Sequence, residues 1–316
     1  MRRILLSCTA TALALSACGS NPPPAAGEPS APAPVTVSPP MAGPPVVRDW
    51  VYQLSGYADN AGSGLDAIAA APGQAAVFDL ARDGSDGYWT AAEVGTVRGS
   101  GKLALSYYTI GSIENYRPEA GAVGDAGLLL NQWGDWPDEH FVKYWTEDWW
   151  TLAMKPRVDQ ALAAGFDGAY LDVPNAYEEI DLALVPGETR ETLAREMVDL
   201  IVRVSEYAKS VRPGFLILPQ NSPELQELPG YTDAVDGLGV EELYYLATDE
   251  PCAEGFCAEN LAAVRRLHDA GKLILAVDYA DDPAKIADAC GGYREEGFAG
   301  YVGGVDLDDI RAACPA

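Results

Sequence analysis

The chain has 316 residues, with 47 Asp and Glu against 21 Lys and Arg, and a formal net charge of −26 at pH 7. A field of that sign repels nucleic acid, so no nucleic-acid partner is expected, and it attracts cationic partners, including a sugar polymer that carries free amines. His140 and His268 are the only histidines, which leaves Ser-His-Asp or Cys-His catalysis and clustered-histidine metal sites little to build on; neither a metal nor a cofactor is expected.

At the N-terminus Arg2 and Arg3 precede an apolar run from Ile4 to Leu15 that ends in Leu15-Ser16-Ala17-Cys18. The stretch resembles the lipobox of a bacterial lipoprotein signal peptide. That resemblance implies removal of residues 1–17, lipid on Cys18, and a protein held at the cell envelope facing the periplasm or the exterior. Removal of Arg2 and Arg3 takes the charge to −28, because residues 1–17 hold no acid. Residues 20–47 contain ten prolines and many alanines. They cannot bury enough apolar surface to offset the entropy of ordering, so residues 18–47 are expected to form a lipidated, disordered tether. Residues 48–316 then make one domain of the size that a single α/β barrel needs.

Beyond the tether the chain shows eight short apolar runs: Trp50 to Gly56, Ala75 to Ala81, Lys102 to Gly111, Phe166 to Val173, Gly214 to Asn221, Asp236 to Tyr244, Lys272 to Ala280 and Gly297 to Val305. Most are separated by amphipathic stretches, of which the clearest are Thr90 to Arg98, Trp149 to Ala164, Arg190 to Val211, Ala258 to Ala270 and Pro283 to Glu295. Thr189 and Asp282 stand where N-caps belong, and Gly165 and Gly271 where helices stop. The alternation predicts an α/β protein, a single-domain (β/α)8 TIM-like barrel. A doubly wound open sheet is the alternative, but it usually brings a phosphate-binding glycine loop after its first strand, and Gly56 to Gly64 lacks that spacing. Four cysteines remain after Cys8 and Cys18 are set aside. Outside the cytoplasm they are expected to form disulfides; Cys252 with Cys257 and Cys290 with Cys314 are the pairs closest in sequence, with other pairings open.

Polar residues recur at the ends of the predicted strands: Asp79, Asp172, Gln220 with Asn221, Glu241 and Asp278. Barrel enzymes place their chemistry there, and a barrel core has no other use for such charges. The chain resembles the endo-α-1,4-polygalactosaminidases of glycoside hydrolase family 114 over about residues 48–310. The likeness rests on Trp50-Val51-Tyr52-Gln53-Leu54, on the run from Tyr108 to Pro118, on Gly165 to Asp172, on Gly239-Val240-Glu241 and on Val277-Asp278-Tyr279. It implies a TIM-like barrel, internal cleavage of α-1,4-linked galactosamine polymers in exopolysaccharide, and Asp172 and Glu241 as the catalytic carboxylates. One departure is Asn175, near which the family often carries a second Asp; substrate contacts there are expected to differ.

The chemistry asks for the same pair. Cleavage of a glycosidic bond needs a proton on the leaving oxygen and a carboxylate facing the developing oxocarbenium charge. Two acids ending the fourth and sixth strands lie two positions apart around a barrel and converge over its mouth. Glu241 is assigned as acid/base and Asp172 as nucleophile, or as the base if the reaction inverts. Glu242 competes with Glu241, but adjacent strand residues point to opposite faces. Asp278 and Asp79 are expected to meet the amine of the sugar, and Tyr279, Gln53, Tyr108 and Asn221 its hydroxyls. The long third connection supplies Trp133 and Trp136 as stacking candidates, whereas Trp149 and Trp150 open a helix and are expected in the core. The partners expected are a cationic amino-sugar polysaccharide and, through the anchor, a membrane; the protein is expected to be monomeric. A lipoprotein that binds exopolysaccharide without cutting it is the alternative from another class. A hydrolase of a different amino-sugar polymer is a third. The presence of both acids favours the enzyme.

Overall fold

Eight parallel strands carry the chain around one barrel: β1 Trp50–Gln53, β2 Ala75–Asp79, β3 Leu103–Thr109, β4 Gly168–Asp172, β5 Leu216–Pro219, β6 Gly237–Glu241, β7 Leu273–Tyr279 and β8 Ala299–Gly303. The structure is a computed structural model that describes residues 46–57, 64–82, 84, 87–134, 136–253 and 255–315. The expected signal, Cys18 and most of the expected tether lie outside the described residues. Strands β1 to β5 form one continuous parallel ladder and β6 to β8 another. Bridges between Gln220 and Gly239 and between Asp49 and Gly300 join the two ladders at both seams. The sheet therefore closes, as the (β/α)8 reading of the sequence expects.

Alternation along the strands divides the side chains into two layers. Trp50, Tyr52, Val77, Leu105, Tyr107, Tyr170, Leu218, Val277, Tyr279 and Tyr301 fill the interior, while Val51, Phe78, Tyr108, Leu171, Leu238 and Ala276 pack outward against the helices. Aromatic rings of this size fit only where a facing strand gives way. Gly239 does so, since a Cβ there would lie 2.0 Å from the Tyr170 hydroxyl oxygen.

The helices follow from local chemistry. Thr189 caps Arg190–Val211 by accepting from the Thr192 amide, and Leu193, Met197, Leu200, Ile201, Val204 and Ala208 form its buried stripe at helical spacing. Gly165, at φ 86°, ends Lys155–Ala164 in the left-handed region that glycine adopts without steric cost. The helix predicted from Trp149 begins two residues earlier, because Thr146 caps at Trp149 N, and it passes through a π-helical stretch, Trp150–Met154. Trp149 and Trp150 are buried. Both short-range cysteine pairs are bonded, Cys252–Cys257 with Cα atoms 6.0 Å apart and Cys290–Cys314 at 5.5 Å. The second ties the last helix, Pro283–Glu296, to the chain beyond β8.

The long connection after β3 contains an antiparallel sheet that the strand pattern does not announce. Ser112–Glu114 pairs with Glu139–Val142, which pairs with Leu129–Gln132. It stands at the C-terminal end of the barrel and brings two more acids, Glu114 and Glu139, toward the mouth. Among the described residues no helix is long and apolar enough to cross a membrane.

Candidate active site

Register and alternation place both predicted catalytic acids. Asp172 pairs with Thr109 at the end of β4 and has the strand parity of Tyr170; Glu241 pairs with Val277 at the end of β6 and has the parity of Gly239. Both point into the mouth. The Asp172 carboxylate accepts from the Tyr107 hydroxyl at 2.5 Å and from the Val173 amide at 2.7 Å. Glu241 accepts from the Asn221 amide nitrogen at 3.0 Å and from the Tyr279 hydroxyl, and its own backbone N–H donates to the Asn221 side-chain oxygen at 3.0 Å. Burial first, then the Glu241 charge, push Asp172 up to about 7 against the bonds from Tyr107 and Val173. The two acids thus share one field, in which a proton is retained near neutral pH.

The backbone around them is strained. Val173 follows β4 at φ 60°, Asn221 and Ser222 follow β5 at φ 64° and 50°, and Glu242 follows β6 at φ 57°. Left-handed geometry is rare for a β-branched residue such as Val173, and such positions cluster where a site over-determines the chain. Here the turns free the strand ends to aim Asp172, Asn221 and Glu241 at a common space. Glu242, half-buried, is pushed up to about 7 by burial, then by Glu241 and Asp278.

The structure brings Asn221 and Tyr279 onto Glu241 and disperses the rest of the predicted set. Three expectations are corrected, all on strand parity. Gln53 has the outward parity of Val51 and donates to the carbonyls of Ser55 and Asp308 at 2.9 and 3.1 Å. Tyr108 is buried in the layer between strands and helices, its hydroxyl without a hydrogen-bond partner among the described residues. Asp278 is wholly buried and accepts from the Tyr244 and Tyr245 amides at 2.8 and 2.7 Å and from the Tyr293 hydroxyl. It therefore fixes the loop after β6 rather than meeting substrate, and burial pushes it up to about 6 despite those donors. Asp79 faces inward, but Arg117 holds both its oxygens with bonds of 2.9 and 2.8 Å, although burial still raises its carboxyl against that pair. Trp133 packs on Phe141 with ring centroids 5.1 Å apart, and Trp136 stands 52% exposed on the same connection.

Residues outside the predicted set complete the mouth. Tyr107 holds Asp172, Tyr52 donates to the Gln220 side-chain oxygen at 2.9 Å, and the Tyr170 phenol is raised by burial and then by the charges of Glu241 and Asp172. All three share the inward parity of their strands, a signal already present in the sequence. Arg117 also binds Glu114 at 2.6 Å, and Arg157 donates to the Thr109 carbonyl at 2.6 Å and to Glu119 at 2.7 Å. Two buried guanidiniums thus sit beneath a surplus of acids. A cleft of about 360 Å³ opens beside the ends of β1 and β2, lined by Leu54, Tyr57, Asp79, Arg82 and Tyr116 among others. It adjoins the Asp79–Arg117 pair and contains neither Asp172 nor Glu241.

The family model of glycoside-hydrolase family GH114 matches residues 31–316. An uncharacterized protein of Deinococcus radiodurans is 36% identical over 309 residues, spanning 94% of this chain and 96% of that protein. The glycoside hydrolase domain of PelA from Pseudomonas aeruginosa has a similar structure, with a TM-score of 0.63 at 18% identity over 84% of this chain and 98% of that domain. Aspergillus fumigatus Ega3, solved in complex with galactosamine, gives a TM-score of 0.66 at 15% identity over 88% of this chain and 100% of that one. At these identities the structural likeness is one of fold.

Proposed function

The chain belongs to glycoside-hydrolase family GH114, and from that premise we propose that it is an endo-acting hydrolase of α-1,4-linked galactosamine polymers, with Asp172 and Glu241 as its catalytic pair. The observation that carries this is the pair itself: two inward carboxyls at the ends of β4 and β6, each hydrogen-bonded, with the charge of one raising the other. The cationic substrate is supported by the surplus of acids around the mouth and by the galactosamine bound to the similarly folded Ega3. Glu241 is the acid/base and Asp172 the nucleophile, or the base if the reaction inverts. In the free protein Asp172 retains a proton near neutral pH; a cationic sugar entering beside it stabilises its ionised form, the one a nucleophile or base needs. Trp136 offers an exposed ring for the apolar face of a sugar further along the chain.

Incubation with defined α-1,4-galactosaminan should release short oligomers before monomer, as read by mass spectrometry. No products from that polymer, with products from another amino-sugar polymer, would transfer the activity to the second substrate. We further propose that Cys18 carries a lipid that holds the protein at the cell envelope, supported by the Leu15-Ser16-Ala17-Cys18 sequence. Cys18→Ala should move the protein from washed membranes to the soluble fraction and leave its specific activity unchanged; retention of the variant in membranes after a high-salt wash contradicts the anchor.

A further inference from the structure

An amino-sugar substrate brings an ammonium group that needs an anion inside the mouth. Asp79 is paired with Arg117, and Asp278 is enclosed by two amides and a phenol. Glu139 is different. It is 9% exposed, and in the antiparallel pairing of the inserted sheet it lies directly opposite Glu114. Like charges in that position destabilise a strand pair unless one is neutralised. Burial disfavours the Glu114 charge, but Arg117, 2.6 Å away, and then Arg157 outweigh it and hold that carboxyl below the usual range. Among the described residues Glu139 makes no ion pair, and while one oxygen accepts from the Ser112 hydroxyl the other takes no hydrogen bond from them.

The surroundings of Glu139 join it to the catalytic pair. Glu114 lies opposite it on the neighbouring strand, the charges of Asp172 at the end of β4 and of Arg117 after Glu114 act on it, and its own charge acts on the Tyr107 phenol, which is bonded to Asp172. Burial, then Glu114, push Glu139 up to about 8, so below that pH it carries a proton. A buried acid kept neutral beside a reaction centre, with an oxygen unoccupied, is prepared to ionise when a cation arrives.

We propose that Glu139 is the receptor for the ammonium group of the sugar bound beside Asp172 and Glu241, and that it sets the preference for a free amine over an N-acetyl group. The inference rests on the reading of the site as one for amino sugars. On binding, the Glu139 carboxyl gives its proton to solvent and the carboxylate pairs with the sugar ammonium, so one proton is released per ammonium bound. An N-acetyl group offers no cation and releases none. Glu242 also lacks a charged partner among the described residues but is half-buried beside the outward-facing Asp278, where an ion pair would be better solvated and weaker.

The test uses the full-length protein in detergent and a thio-linked galactosamine trisaccharide, which resists hydrolysis, together with its N-acetylated counterpart. Calorimetric titration at pH 6 in buffers of different ionisation enthalpy gives both affinity and proton release. Glu139→Gln should weaken the amine ligand by about 10- to 100-fold, leave the N-acetylated ligand nearly unchanged and abolish proton release; Glu242→Gln should keep the wild-type pattern. Equal losses for both ligands, retained discrimination in Glu139→Gln, or loss of discrimination in Glu242→Gln instead would each overturn the assignment. The hydrolysis assay is separate. A wild type that discriminates through Glu139 yet cuts no galactosaminan removes the proposed substrate and leaves this inference. A wild type that cuts it while Glu139→Gln still discriminates removes this inference alone.

Discussion

Asp172→Asn and Glu241→Gln should each give a folded protein that binds amino-sugar oligomers and turns them over slower by about three or more orders of magnitude. Each amide keeps the shape of its carboxyl; its one oxygen still accepts from the group that can only donate, the Val173 N–H or the Asn221 amide, while its NH2 donates to the Tyr107 or Tyr279 hydroxyl, which turns from donor to acceptor. Neither amide delivers a proton or presents a full negative charge to an oxocarbenium-like transition state. Binding survives because it is spread over several sugars. An aryl glycoside with a good leaving group separates the roles, since such a substrate needs little protonation: it rescues the first step of Glu241→Gln and not that of Asp172→Asn. The reverse pattern exchanges the roles, and wild-type turnover in both variants eliminates the pair.

Stability gives an independent reading of the same substitution. The folded protein holds Asp172 at about 7, above an unfolded value of about 4. The folded state therefore binds the extra proton between those values and loses that advantage as pH rises through 7. The amide introduced by Asp172→Asn does not titrate and carries no such loss. The unfolding midpoint of Asp172→Asn relative to wild type should climb from pH 4 to about 8 and then level. A constant offset across that range would show that Asp172 is not held protonated.

The barrel is legible in the sequence because its two periods are clean. Each of the eight predicted apolar runs contains an observed strand, and the longest helix, Arg190–Val211, has its predicted bounds because a Thr189 cap and a regular apolar stripe agree. Asp172 and Glu241 are legible as polar residues ending strands that are otherwise apolar. The errors have one physical source. Reading a strand end as a single place overlooks that a strand has two faces, and a shift of one residue turns a side chain from mouth to helix layer. Gln53 lies beside inward Tyr52, Tyr108 beside inward Tyr107, and Asp278 beside inward Tyr279. Parity traced back from the aromatic interior selects Tyr52 and Tyr107 instead. The inserted sheet is a different matter. Its strands are of three or four residues, two of them carrying buried acids, so neither length nor alternation marks them, and Glu139 is identified only by what it faces.

Arg117→Met should be the most destabilising single change at the mouth, by about 3–5 kcal/mol at neutral pH. The guanidinium is buried and makes three bonds of 2.6–2.9 Å to Asp79 and Glu114, and Met has a comparable stem with no charge. Its removal leaves Asp79, Glu114 and Glu139 in one low-dielectric space, with Arg157 as the remaining guanidinium near Glu114. The sign with pH follows from the protons. In the wild type Glu114 is held low, so its contribution to stability is present above the unfolded value of about 4 and is lost as pH falls through the folded one. In the variant the unpaired acids rise, so stability is lost as pH increases from about 4. Both trends shrink the gap between the two proteins toward acid pH, where protonated carboxyls no longer need the cation. Urea unfolding at pH 7.5 and pH 4.5 checks this. Glu114→Gln added to Arg117→Met should recover part of the loss at pH 7.5, because it removes the charge left unpaired. A deficit independent of pH, or no recovery in the double variant, would mean that Arg117 supports the mouth by packing and not by charge. Turnover should fall with stability even at temperatures where the variant is folded, since loss of the guanidinium changes the field at Glu139 and leaves unpaired the Glu114 charge that acts on Asp172.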